Sequence, residues 1–263
     1  ARAREQFGMP IAEFEGILEP LGRMAGNSYM ITSSVSTTAM AIGAGEKPSV
    51  ISAILKYHST ELARKIGMDA MDIHGGKAVM LGPKNYLAGG YESTPVGITV
   101  EGANIMTRSL IIFGQGAFRC HPYVLKEIEA VNLEDQNESL EQFDYHLFGH
   151  IGHSISCAVR AFVRGITDRF TTSPVDGETA VYYKQINRLS AAFAFLTDIS
   201  MLIMGGELKR KETISARLGD VLSSLYLAST TLKHYEDTGE KDVDLALLVW
   251  TQKTLLFEAQ EKL

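Results

Sequence analysis

The chain has 263 residues, 45% of them hydrophobic, enough to bury one large core or two modest ones, which excludes a disordered chain. A formal charge of −6 excludes nucleic acid as the main partner, because neutralising a phosphate backbone needs a concentrated basic surface. Two cysteines, Cys120 and Cys157, lie far apart without CxxC spacing; this excludes a disulfide framework and a cysteine zinc site, and a reducing, cytoplasmic setting is expected.

In chain order, "ARAREQFG" at Ala1 is charged and patterned like the interior of an element. No leader is expected there, and the chain is expected to be a piece of a longer protein. Apolar residues at spacings of three and four predict helices over residues 11–42, 50–71, 105–113, 143–167, 181–204, 213–235 and 243–261. Pro48 before the second of these and Gly75-Gly76 after it are start and stop signals. Only "GITV", residues 97–100, reads as extended. The fold expected is all-α, with long helices packed as a bundle. Polar and acidic residues crowd residues 132–142. They suggest a boundary between an N-terminal bundle, residues 1–130, and an additional C-terminal helical module, residues 131–263. The longest apolar stretch, residues 191–206, contains Asp198 and falls short of the ~20 residues a membrane-spanning helix needs, so a buried helix is expected. The basic cluster "LKRKE" at Leu208 is short and reads as a solvated helix start.

Several patterns come close to known chemistry and fail. "DIHGGKA" lacks the first glycine and the Ser/Thr of a phosphate loop, and "GQGAFR" lacks the third glycine and preceding strand of a dinucleotide fingerprint. His146, His150 and His153 share one helix face, yet no glutamate lies within the run and no fourth ligand is visible, so core or interface histidines are preferred and no metal is expected. Glu101 is the stronger candidate. It stands where an extended segment turns into a helix, close to backbone N–H groups and the positive end of the helix dipole. An ordinary helix-start acid fits that position too. The uncharged stretch from Thr94 to Val100 and the following Gly102 place it in an apolar turn. Partial desolvation there would raise its pKa toward that of a working general base.

Three segments in order resemble the C-terminal part of the acyl-CoA dehydrogenases: "RAREQFGMPIAEFEG" the family's Arg-x-x-Phe-Gly segment, "DAMDIHGGKAVM" its Gln-Ile-x-Gly-Gly turn, and "VEGANIMTR" its Tyr-Glu-Gly-Thr segment. The later part, with "GGELKRKETISARLGD", is similar to the extra C-terminal helical region of the large bacterial fatty-acid-degrading members. This resemblance implies that Glu101 abstracts the α proton of an acyl thioester while the β hydride passes to flavin N5, giving the trans-2-enoyl-CoA. It implies FAD as cofactor, with Arg4 at the diphosphate, Phe7 packed near it and Phe14 at an aromatic position. Asp72, Ile73, His74, Gly75 and Gly76 would form the second contact segment, and Ala103 would stand where the family has a threonine. Val100, in place of the family's tyrosine, and Gly102 would line a substrate pocket roomy enough for medium to long acyl chains. The resemblance further implies a homodimer or dimer of dimers, a fatty acyl-CoA substrate, and an electron acceptor such as an electron-transfer flavoprotein. The full-length protein would be cytoplasmic, with attachment to the inner face of the membrane as an option. An acyl-CoA oxidase, or a non-catalytic helical scaffold of the same fold, remain alternatives.

Overall fold

The computed structural model describes residues 1–167, 171–238 and 241–263, apart from the side chain of Lys241. It is almost wholly helical, as expected. The long helices are α1 (Glu15–Gly43), α2 (Ser49–His74), α8 (Gln136–Ile166), α9 (Ala180–Met204), α10 (Glu212–Thr238) and α11 (Lys241–Lys262). Shorter ones are α3 (Gly76–Val79), α4 (Ala88–Thr99), α5 (Asn104–Met106), α6 (Gly116–Cys120) and α7 (Val124–Val131). A two-stranded hairpin, β1 (Glu5–Gln6) with β2 (Met9–Pro10), opens the chain. The described residues form two compact units, Ala1–Asn104 with Thr230–Lys253, and Ile105–Ser229 with Thr254–Leu263.

In the first unit, α1 packs along α2. Arg23 fixes their register with a two-pronged bond to Asp69, Nε to Oδ2 at 2.9 Å and Nη2 to Oδ1 at 2.6 Å. Much of the α1 face turned inward is small and polar. Ser33, Ser34 and Thr38 are buried, and Ser34 Oγ meets Thr230 Oγ1 at 2.8 Å. Gln252 Nε2 donates to Thr231 Oγ1 at 2.7 Å. Tyr29 lies on the same helix, and burial pushes its phenol up to about 12. Small residues let the helices approach closely, and the limit is reached at Gly26, where a Cβ would come within 2.1 Å of the Trp250 ring.

The second unit centres on Phe113, Ala117, Leu208 and Leu218, with Phe193, Met201 and Met204 packed around them. Arg108 forks Asp220 at 2.7 and 2.6 Å, from the π-helical stretch Thr107–Gln115 to α10. Helix α8 lies between α7 and α9. The polar stretch 132–142 resolves into a short connection and the first turns of α8. Asp135 caps that helix by accepting from the N–H groups of Asn137 and Glu138 at 2.8 and 3.1 Å.

Two expectations are corrected. "GITV" is not extended: residues 97–99 finish α4, and only Val100 has an extended backbone. The β-branched residues had suggested a strand, but α4 packs on α2, with Gly97 so close to Thr60 that a Cβ there would touch its methyl group at 3.4 Å. The apolar stretch from Ala191 is not a buried helix. It belongs to a helical segment, Ala180–Lys209, long and apolar enough to cross a membrane by length and composition, of whose most apolar window only 22% is buried. Leu202 and Ile203 point outward.

Candidate functional site

Glu101 sits in a tight turn between α4 and α5. Its φ is +54°, and Gly102 follows at +90°. Among the described residues, the non-glycine residues with positive φ are Phe7 and Glu101. Both had been singled out from sequence. A side chain in this region costs of order 1 kcal/mol or more, and such residues gather where a site over-determines the backbone. What over-determines this turn is Lys56 on α2. Its Nζ donates to Gly102 O at 2.6 Å, to Asn104 Oδ1 at 2.7 Å and to Ile98 O at 3.4 Å, so one ammonium ties the chain on both sides of Glu101. Asn104, 2% exposed, carries the tie inward by donating from Nδ2 to Thr60 Oγ1 at 2.9 Å and Glu61 Oε1 at 2.8 Å. The helix beginning at Asn104, expected from sequence, is therefore anchored through its first side chain.

Within this chain the Glu101 side chain is exposed, as are Val100, Gly102 and Ala103. The expected desolvation is thus not supplied by this chain's own residues, because the neutral stretch before Glu101 is wound into α4 instead of folding over it. Lys56→Met should release the turn. Amide exchange across residues 98–104 is expected to speed up by roughly tenfold or more, matching the ~1.5–3 kcal/mol of hydrogen bonds from a charged donor, while exchange in α1 stays unchanged.

The first two motifs come together at one place. A cavity of about 570 Å³ is lined by Ala1, Ala3, Arg4, Ile11, Ile73, His74, Gly76, Lys77 and Tyr86. Phe7 and Gly8, both with positive φ, make the two-residue turn that the hairpin twist demands. The hairpin is closed at its base by Ile11 N donating to Arg4 O at 2.8 Å, and this holds Arg4 at the cavity. Gly75 ends α2 at φ +55°, ψ −127°, a conformation that favours glycine. A Cβ there would lie 3.9 Å from Arg4 Nη1, so the guanidinium faces a bare backbone. His74 Nδ1 donates to Ala70 O at 2.7 Å, which leaves Nε2 to accept from the Tyr86 hydroxyl. Phe7, 95% exposed, stands edge-on to Phe14 at 6.3 Å. Phe7, Phe14 and Asp72 do not line this cavity, and neither do Val100, Glu101, Gly102 and Ala103.

In the second unit, the histidine face forms a cluster that sequence reading reached only in part. His150 and His153 join His121 and Asp198, while His146 stays outside, against Tyr145. Ligand atoms of His121, His153 and Asp198 all lie within 4.8 Å of one another, a grouping that by distance alone could hold an ion. The hydrogen bonds point elsewhere. His121 Nδ1 accepts from the N–H groups of Tyr123 and Val124 at 3.2 Å, so Nε2 carries the ring proton and donates to Asp198 Oδ1 at 2.9 Å. Binding a metal at Nε2 would move that proton to Nδ1, against two N–H donors. Asp198 Oδ2 accepts from Ser154 Oγ at 2.5 Å. Burial pushes the Asp198 carboxyl up, but these hydrogen bonds and the field of His121 and His150 outweigh it and leave it below the ordinary range. Burial also holds His153 below its usual value, against the pull of Asp198. His121 and Asp198 were missed because they lie 77 residues apart, and Asp198 had registered only as an interruption of an apolar run.

Comparison with known proteins gives matches along nearly the whole chain. Residues 1–114 match the family model described as acyl-CoA dehydrogenase, C-terminal domain, and residues 118–263 match acyl-CoA dehydrogenase, C-terminal, bacterial type. A 3-(aryl)acrylate reductase from Clostridium sporogenes is 36% identical over 76 residues, which is 29% of this chain and 20% of that protein. An acyl-CoA dehydrogenase complexed with FAD from Bacillus anthracis shares the fold, with a TM-score of 0.73 at 17% identity over 100% of this chain and 43% of that one. The chain thus spans a fifth of the curated relative and about two-fifths of the solved structure.

Proposed function

Because this chain belongs to the acyl-CoA dehydrogenase family, we propose that it is the base-bearing C-terminal part of an FAD-dependent enzyme that converts medium- or long-chain fatty acyl-CoA to trans-2-enoyl-CoA in β-oxidation. The observation that carries this is the turn at Glu101, a carboxylate held in a left-handed conformation by Lys56 at the start of a helix.

The cavity between the hairpin and α3 suits the anionic diphosphate of a dinucleotide. Arg4 and Lys77 line it, and the Gly75-Gly76 turn lets a ligand reach the backbone with no side chain intervening. Arg4, Ile73, His74, Gly76 and Lys77 would hold the cofactor, in a homodimer or dimer of dimers where one subunit completes the site of another. Bound FAD supplies the acceptor for the β hydride. Glu101 takes the α proton, and Lys56 keeps the turn from relaxing as the carboxylate changes charge. Val100 leaves a small apolar wall beside the base, which favours longer acyl chains. Arg4, the Gly75-Gly76 turn, Lys56 and Glu101 all lie in the first compact unit, Ala1–Asn104 with Thr230–Lys253.

The electrons would pass to a partner such as an electron-transfer flavoprotein, on the cytoplasmic side and at the inner face of the membrane. A second reading is favoured by the Clostridium relative, whose name describes reduction of an arylacrylate. In that case the same residues protonate the α carbon instead of deprotonating it. Supplying the full-length protein with saturated acyl-CoA of increasing chain length separates these. Formation of trans-2-enoyl-CoA that peaks at medium or long chains, without peroxide, is expected. Stoichiometric peroxide would make it an oxidase, and activity confined to arylacrylyl substrates with a reductant would make it a reductase.

A further inference from the structure

Helix α8 turns a largely polar face toward its neighbours. From it His150 bonds Glu127 of α7, while Ser154 and Arg164 donate to Asp198 and to Asn187 O of α9. The opposite face is apolar and open. Phe148, Ile151, Ile155, Val159, Phe162 and Ile166 are between 47% and 70% exposed, and the last three stand eleven positions after the first three. A period of eleven is about 3.67 residues per turn, close to that of the helix itself, so the stripe runs nearly straight along one side. From Phe148 to Ile166 it is about 27 Å long at 1.5 Å per residue.

Six large apolar side chains open to this extent present roughly 700 Å². That exceeds the ~300–600 Å² of the largest patch on an ordinary monomer and approaches the ~800 Å² that each partner gives to a standard interface. The charges beside the stripe choose the occupant. Glu138, Glu141 and Asp144 are exposed on the first turns of α8, and Arg160 is exposed toward the other end, bonded within the helix to Ser156 O at 3.3 Å and Cys157 Sγ at 3.2 Å. The acids repel an anionic lipid surface. A parallel copy would set acid against acid. An antiparallel copy lays the acidic end of each helix over the arginine end of the other, twice by symmetry, and closes as a two-fold pair.

We propose that this face of α8 is a contact between two copies of the protein, with the two helices antiparallel across a two-fold axis. The contact is separate from any that completes the flavin site, because none of its residues lines the cavity that contains Arg4 and Gly76. It does not rest on the flavin reading.

Sedimentation velocity of the full-length protein over a dilution series tests this, since mass is read whether or not flavin is bound. The parent should double in mass on concentration. Phe148→Glu with Phe162→Glu, both at positions open to solvent in the single chain, should stay at half the parent's mass with flavin content and helical circular dichroism unchanged. Glu141→Arg or Arg160→Glu alone should weaken the doubling by about tenfold, and the two together should restore it, because only a self-complementary contact exchanges its charges with itself. Parent mass retained by the double Glu variant would overturn the proposal and give the face to another part of the same chain. A charge-swapped pair no stronger than the single variants would also overturn it. So would binding of the parent to phosphatidylglycerol–phosphatidylethanolamine vesicles that the double Glu variant loses at unchanged mass, which would assign the face to lipid.

Discussion

Gly26→Val is expected to destabilise the first unit by about 2–3 kcal/mol, in the range for forcing bulk into a packed interior. Gly26 sits mid-helix in α1, where removing glycine should help by ~1 kcal/mol in the case of alanine. The geometry reverses that sign. A Cβ would lie 2.1, 2.4 and 2.7 Å from three atoms of the Trp250 indole, a rigid ring that cannot bend aside as a lysine end would. Gly26→Ala should already lose stability on balance. Valine adds two methyl groups to the clash and forgoes the propensity gain. Gly22, one turn earlier on the same helix, has nothing within 4 Å of an added Cβ; Gly22→Ala is the control, expected to be neutral or to gain up to ~1 kcal/mol. Urea midpoints of the three variants against the parent decide the matter. Equal stability of the Gly26 and Gly22 variants would mean that Trp250 does not pack as described.

Glu101→Gln in the full-length protein is expected to lower the rate of α-proton removal by roughly 10²–10⁴-fold, the usual worth of a positioned general base. Glutamine keeps the side-chain length and fits the left-handed turn as glutamate does, so the fold and the hold of Lys56 on Gly102 and Asn104 should persist. FAD content should also be unchanged, because Glu101 does not line the cavity that contains Arg4 and Gly76. Loss of chemistry with retention of flavin separates a base from a residue that merely supports the fold. Loss of both would point to a structural role for this carboxylate.

Helix existence was legible wherever punctuation and periodicity agreed, as in α2, framed by Pro48 and by Gly75 in a conformation suited to glycine. It failed at "GITV", because β-branched side chains speak for a strand locally while packing against α2 decides the outcome. The burial of α9 was misjudged for a related reason: apolarity says that a helix avoids water but not whether this chain covers it. At the site, Glu101, Arg4 and the glycine pair stood out through their motifs. Lys56 and Asn104 did not, since an ordinary lysine on a helix and an asparagine after a turn gain meaning only when 48 residues of chain bring them to 2.7 Å. His121 and Asp198 were hidden by the same kind of distance. The backbone strain at Phe7 and Glu101 has no signature in sequence at all, because left-handed conformations are normally foretold by glycine or asparagine.

The most direct measurement is anaerobic stopped-flow absorbance of the FAD-loaded full-length protein on mixing with a long-chain acyl-CoA. The parent protein should lose its oxidised flavin band in a single turnover, and the Glu101→Gln variant, with the same flavin content, should keep it. Bleaching of the variant at the parent rate would contradict the assignment of Glu101 as the base.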